Sequence, residues 1–239
     1  MKILKLTALF SGVLLCSCSH YYYVANIQNV PLFREKNEVH LSGGYAVGDE
    51  SQSIEVQSAY SLSKQIGIMA NYMHAWGGNV SEKDYGRGYY IDGAIGYFKP
   101  VGKYGVFEIY GGFGGSGQHH EFTSGSYADL SFVNLFIQPS FGFTFDWFDA
   151  AVSLRICNIS YTDIKNFAAG SDDYAEINAL KDKGHPFAEP AFTLRAGWKN
   201  IKLQFQASYA ANLNSPTLYF GEEAHISFGL YFTLANRFK

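Results

Sequence analysis

Apolar and polar residues alternate one by one along most of this chain. In the stretch 201–209, Ile201, Leu203, Phe205, Ala207 and Tyr209 fall on one side of an extended strand, and Lys202, Gln204, Gln206 and Ser208 on the other. A period of two is that of a β-strand, whose side chains point to opposite faces in turn. The same pattern recurs at 37–47, 52–62, 65–75, 88–98, 104–114, 129–145, 150–161, 189–198 and 223–235, which makes ten predicted strands. Short connections at 62–64, 99–103, 146–149 and 199–200 alternate with longer ones at 48–51, 76–87, 115–128, 162–188 and 212–222.

Two-faced strands leave two architectures open. A soluble β-sandwich or lipocalin-like barrel buries one apolar face and presents polar residues outward. A closed antiparallel up-and-down transmembrane β-barrel of about ten strands turns the apolar face to lipid, with short turns at one end and long loops at the other. Here the face that would point outward is apolar or aromatic throughout, which favours the second. Closure is then obligatory, because an open sheet edge in hydrocarbon strands unpaired N–H and C=O groups at several kcal/mol each. Tyr72, Trp76, Tyr97, Phe145, Trp147, Trp198 and Tyr209 are expected near strand ends, as interfacial girdles. An even strand number places both chain ends at the short-turn side.

Composition agrees. Charged residues make up 16%, Gly 25 residues, and Tyr with Phe 38 of 239. No window reaches the roughly 18 consecutive apolar residues of a spanning helix. At the start, Lys2 and Lys5 precede an apolar run from Leu6 to Leu15 and then Leu15-Cys16-Ser17-Cys18. This resembles a bacterial lipoprotein signal, which implies cleavage after residue 17 and lipidation of Cys18; an ordinary secretory peptide is the alternative. Cys157 would then be the only other Cys left, excluding a disulfide framework. Without residues 1–17 the chain has 16 basic and 21 acidic residues, a balance of −5 that gives no support for nucleic-acid binding. Residues 18–36 lack alternation and read as a periplasmic tether, with 37–239 as the barrel.

The alternation over 37–238 and the last strand, Ile226-Ser-Phe-Gly-Leu-Tyr-Phe-Thr-Leu234, resemble small outer-membrane β-barrel proteins of Gram-negative bacteria, particularly Bacteroidota. Such barrels end in an aromatic residue; here Phe238 is followed by Lys239. The resemblance implies a monomer surrounded by lipid and lipopolysaccharide, with both termini periplasmic and a possible ligand at the outer loops.

Four groups could carry chemistry. Glu55, Asp92, Glu108, Arg155, Arg195 and Lys202 lie on polar faces, so they are expected in the lumen as an ion-pair network or, alternatively, lining a narrow pore. Lys202 is expected to pair with Glu108 or Glu38. His-x-Ser occurs at His40-Leu-Ser42 and His225-Ile-Ser227, the spacing of lipid A deacylases, but the Asn that family carries after the Ser is Gly43 or Phe228 here. His119-His120-Glu121 follows a Gly-rich run in the fifth connection, where adjacent side chains diverge and imply no zinc site. That run matches no phosphate-binding motif, and no cofactor is expected. In the 162–188 loop, residues 172–181 predict a short helix with acidic residues at its start. The reading that emerges is a non-enzymatic barrel lipoprotein acting through its loops, with a small-solute channel and a lipid A hydrolase as alternatives.

Overall fold

The computed structural model describes residues 20–168, 173–214 and 221–236. Cys18 and Phe238 lie outside the described residues. Ten long strands form one closed antiparallel sheet: β1 (Val39–Val47), β2 (Ser51–Ser61), β3 (Ile66–Asn79), β4 (Asp84–Val101), β5 (Gly105–Glu121), β6 (Tyr127–Thr144), β7 (Phe148–Asn166), β8 (Gly184–Gly197), β9 (Ile201–Tyr209) and β11 (Ala224–Leu234). Neighbours in sequence are neighbours in space, and β1 closes on β11 with Val39 opposite Leu234. The two-residue β10 (Ala211–Asn212) extends the ladder on β8 past the end of β9, and α1 (Asp173–Ala179) sits in the loop between β7 and β8. No helix among the described residues is long and apolar enough to cross a membrane.

The two faces separate as alternation requires. Leu41, Ile54, Val56, Ile91, Ile95, Leu135, Val152, Leu203 and Phe228 are exposed on the outside, while Glu55, Asp92, Arg155, Arg195 and Gln206 are buried inside. A soluble monomer rarely carries so large a continuous apolar surface. The outward apolar band runs from Tyr89 to Tyr97 on β4, from Val133 to Phe143 on β6 and from Phe148 to Ile156 on β7. Each run lies close to the 9–11 residues a tilted strand needs to cross hydrocarbon.

Several strands continue well beyond that band. β4 to β7 have 17 to 19 residues each. Past the band the outward positions become polar, with Arg87 on β4, His119 and Glu121 on β5, Asp129 on β6, and Asp163 and Lys165 on β7. His119 Nδ1 lies 2.7 Å from Asp129 Oδ1 there. This corrects the placement of 76–79, 84–87, 115–121, 127–128 and 162–166 in loops; 80–83 and 122–126 remain connections. The Gly-rich run is strand because rings on neighbouring strands cover the space its side chains lack. A Cβ on Gly112 would lie 2.5 Å from Cζ of Phe136, one on Gly114 2.5 Å from the Tyr90 hydroxyl, and one on Gly117 2.9 Å from the Tyr89 ring. Tyr72, expected at a strand end, is paired in mid-strand between Val56 and Ile91, whereas Trp147 and Trp198 do sit in the short turns.

The segment before β1 departs most from the sequence reading. It is no free tether. Tyr22, Tyr23, Ala25 to Phe33 are buried, and the chain passes through the lumen before β1 begins. His20 meets Asp84 and His120 at the long-loop end; Arg34 reaches the carbonyls of Gly102 and Gly105 at the short-turn end. The described chain therefore starts at one mouth of the barrel and finishes, at β11, at the other. The ends of the described chain do not share the short-turn side, because the parity of ten strands omits this extra crossing.

Candidate functional site: the threaded lumen

An extended chain inside a barrel has no sheet neighbour, yet its buried N–H and C=O groups must find partners. The inward side chains of the strands supply them. The N–H of Ile27 donates to Glu55 (2.8 Å), that of Gln28 to Gln206 (2.8 Å), that of Phe33 to Glu108 (3.0 Å), and those of Arg34 and Glu35 to Glu38 (2.9 and 2.7 Å). On the acceptor side, Gln57 donates to the carbonyl of Ile27, Gln206 to Gln28, Gln138 to Asn29, Arg195 to Val30 and Tyr231 to Pro31, at 2.6 to 2.9 Å. The segment's own amides complete the fit: Asn26 donates to Asp92 (3.1 Å), and Asn29 to Asn71 (2.8 Å). Bulky apolar residues plug each end. Phe33 packs on Phe98 near the turn end, and Tyr23 on Phe132 and Phe187 near the loop end.

All six charged residues picked from the sequence are buried, at 0 to 3% exposure. No two of them form a direct ion pair, and Asn26 stands between Arg155 and Asp92. Glu55, Asp92 and Glu108 are spent on the threaded segment. Arg155 places Nε 3.5 Å from Glu189 Oε2, an ion pair without hydrogen-bond geometry, and donates to Oδ1 of Asn26 at 2.5 Å. Arg195 lies over the ring of Tyr231 and 4.0 Å from Asp149. Lys202 bonds Asp149 at 2.7 Å and the carbonyl of Phe145 at 2.7 Å. The expected partners Glu108 and Glu38 are taken by the segment, and Asp149 stands two strands from Lys202 at the same height, opposite Arg195.

Three buried acids escaped the sequence reading: Asp149, Glu189 and Glu222. Glu189 and Asp149 were legible in principle, since each extends the inward phase of its strand. Glu222 was not, because it belongs to a loop. It accepts from the backbone N–H of Glu50 (2.8 Å) and Ser51 (2.9 Å), bonds the Ser51 hydroxyl, and lies 2.6 Å from His225. Its own N–H donates to the carbonyl of Tyr23, so it ties the β1–β2 turn to the threaded segment. Burial pushes this carboxyl up, but the His225, Ser51 and Glu50 contacts outweigh it and hold the group below the ordinary 4.5. A depressed carboxyl stabilises above its unfolded value and loses that contribution as pH falls through the folded one. Acidification below about 4.5 should therefore lower the protection factors of the Glu50 and Ser51 amides, and Glu222→Gln should do so at neutral pH.

The His-x-Ser pairs are committed elsewhere. His40 bonds Tyr231 and Glu38, and Ser42 donates to Gln57 at 3.0 Å. Ser227 donates to the Gln206 carbonyl at 3.4 Å. The 3.0 Å and 2.6 Å acid contacts of His40 and His225 leave both imidazoles turned to carboxylates. His120 and His119 diverge as adjacent strand residues must, one into the lumen and one outward, and no metal-binding group of three His, Cys, Asp or Glu is found among the described residues. At the loop end α1 forms as the sequence predicts; it buries Ile177, while Asp173 accepts from the Tyr22 hydroxyl at 2.9 Å.

These features define a closed ten-stranded barrel whose lumen holds its own N-terminal segment. No family model and no curated protein matches the chain. Among solved structures it is similar to the N-terminal β-barrel domain of OprF from Pseudomonas aeruginosa, at 10% identity over 84% of this chain and 99% of that one, TM-score 0.40. It is also similar to the translocator domain of the autotransporter NalP from Neisseria meningitidis (12%, 83% and 86%, 0.47) and to an outer membrane channel from Pseudomonas putida F1 (10%, 87% and 100%, 0.42).

Proposed function

We propose that this chain is a non-enzymatic outer-membrane barrel, closed by its own N-terminal segment, with a structural or surface-interaction role at its loop end. The observation that carries the reading is the threaded segment, whose backbone groups are matched one after another by inward side chains from β2, β5, β6, β8, β9 and β11 and by Glu38 just ahead of β1. A built complement of this kind describes a plug. The membrane assignment is supported by the outward apolar band, and the exposed loop end by the polar hairpins that rise past it. Lipidation at Cys18 belongs to the proposal on the strength of the Leu15–Cys18 pattern, and the acyl mass on the mature chain tests it.

The second reading is a small-solute channel with the segment as its gate. One observation favours it: the middle of the segment is held by hydrogen bonds to polar side chains, each worth about 1 kcal/mol net, and not by a strand ladder or an apolar core. Reconstitution of the full chain in planar bilayers separates the two. A heat-modifiable protein that inserts and carries no current supports the plug. Steady current through the unmodified chain would replace it with the channel.

A further inference from the structure

Among the described residues the loop-end mouth is covered on one side only. Over β7 and β8, α1 and Tyr22 lie across it; beside β2 to β5 a cavity of about 740 Å³ opens between the start of the threaded segment and the wall. Its origin is local. The inward positions at this height are Ala75 and Gly77 on β3 and Gly86 and Gly88 on β4, so the wall carries almost no side chain. A Cβ on Gly86 would stand 2.6 Å from the His120 ring, and one on Gly88 2.9 Å from Gln118. Deeper down, the inward positions carry Tyr90, Asp92 and Glu55, and the cavity ends.

Its lining is polarised. Val24, Met73 and Phe132 make an apolar floor, and Asp49, Glu50 and Asp84 stand at the rim. The one Lys or Arg among the lining residues, Arg87, belongs to the outward face of β4. Tyr21 reports the field at the rim: burial, followed by the carboxylates of Glu50 and Asp49, pushes its phenol up to about 12. The size is that of a small-molecule site, roughly 300–1,000 Å³.

We infer that this vestibule binds a small organic cation with an apolar body, its ammonium group at the Asp49–Glu50 rim and its body on Val24, Met73 and Phe132. An anion would meet the rim carboxylates, and a purely polar solute would leave the floor unfilled. A desolvated ammonium beside aromatic rings is attracted by their faces as well. Because Val24 belongs to the threaded segment, the inference rests on that segment being seated as proposed above, and an occupant would favour the seated state.

The full chain in an uncharged detergent can be titrated calorimetrically with phenyltrimethylammonium, with phenylacetate and benzyl alcohol as its anionic and neutral counterparts. Saturable binding of the cation alone is expected. Asp49→Asn combined with Glu50→Gln should weaken it about tenfold, and Ala75→Phe, which fills the hollow, should abolish it. If Ala75→Phe no longer shows heat-modifiable migration, the rim variants decide alone. No saturable binding of the cation, equal binding of all three probes, or indifference to the rim variants would overturn the inference. A chain that is electrically silent and binds nothing sinks this inference only; one that conducts steadily sinks the plug beneath it.

Discussion

Deleting residues 22–33 should convert a silent barrel into one that conducts and prefers cations. The deletion removes the buried Tyr22, Tyr23, Val30, Leu32 and Phe33 and leaves too few residues to cross the lumen. What remains inside is Glu38, Glu55, Asp92, Glu108, Asp149 and Glu189 against Arg155, Arg195 and Lys202. Carboxylates that had accepted backbone N–H groups then face water, and the excess of negative charge admits cations. The sheet itself, closed from β1 to β11 and from β8 to β9, loses no strand hydrogen bond. Planar-bilayer recording should show discrete current steps absent from the intact chain, with a reversal potential in a KCl gradient on the K⁺ side. Insertion without current would mean that lumen side chains alone block the path.

Arg155→Ala should be the most destabilising single substitution in the lumen. Arg155 is 2% exposed and engages Glu189, Gln138 and both the side chain and the carbonyl of Asn26. Truncating one partner of a buried ion pair leaves an uncompensated charge and costs about 3–5 kcal/mol. Here the uncompensated group is Glu189, which is 1% exposed and also bonds Tyr23. The loss therefore falls on the wall and on the segment together. A lowered urea midpoint is expected, with partial recovery when Arg155→Met is combined with Glu189→Gln, since a neutral pair of similar volume leaves no buried charge. Arg155→Lys should recover less, because a single ammonium cannot reproduce the fork that meets Asn26 twice. An unchanged midpoint in Arg155→Ala would mean that water reaches this site.

The barrel was legible because its outward face obeys one rule, an apolar residue at every second position. Strand limits read this way are limits of that rule, not of the strand. β9, which lies within the apolar band, was placed residue for residue at Ile201–Tyr209; β5 was cut at 114 because Gly115, Gly117, His119 and Glu121 face outward above the band. The threaded segment was illegible for the opposite reason. Residues 22–33 are surrounded by protein on every side, so they have no polar face and no period to detect. Their composition did carry a trace, since Asn26, Gln28 and Asn29 with Tyr22, Tyr23 and Phe33 suit a polar lumen better than a solvated linker. The inward charges were found by phase, yet their partners were not. Alternation assigns a face and says nothing about an occupant of the lumen, which is why Lys202 was matched to Glu108 and Glu38 when the segment already held both.

Asn29 and Asn71 sit side by side in mid-lumen, 2.8 Å apart between their amide groups. With cysteines introduced by Asn29→Cys and Asn71→Cys, and the buried thiol removed by Cys157→Ser, a short bis-thiol reagent applied to the inserted chain should join the two positions. The joined chain should keep a compact loop through denaturing electrophoresis, while an impermeant thiol label leaves position 29 unmodified. Failure to cross-link, together with rapid labelling of position 29, would place the segment outside the barrel and contradict the plug.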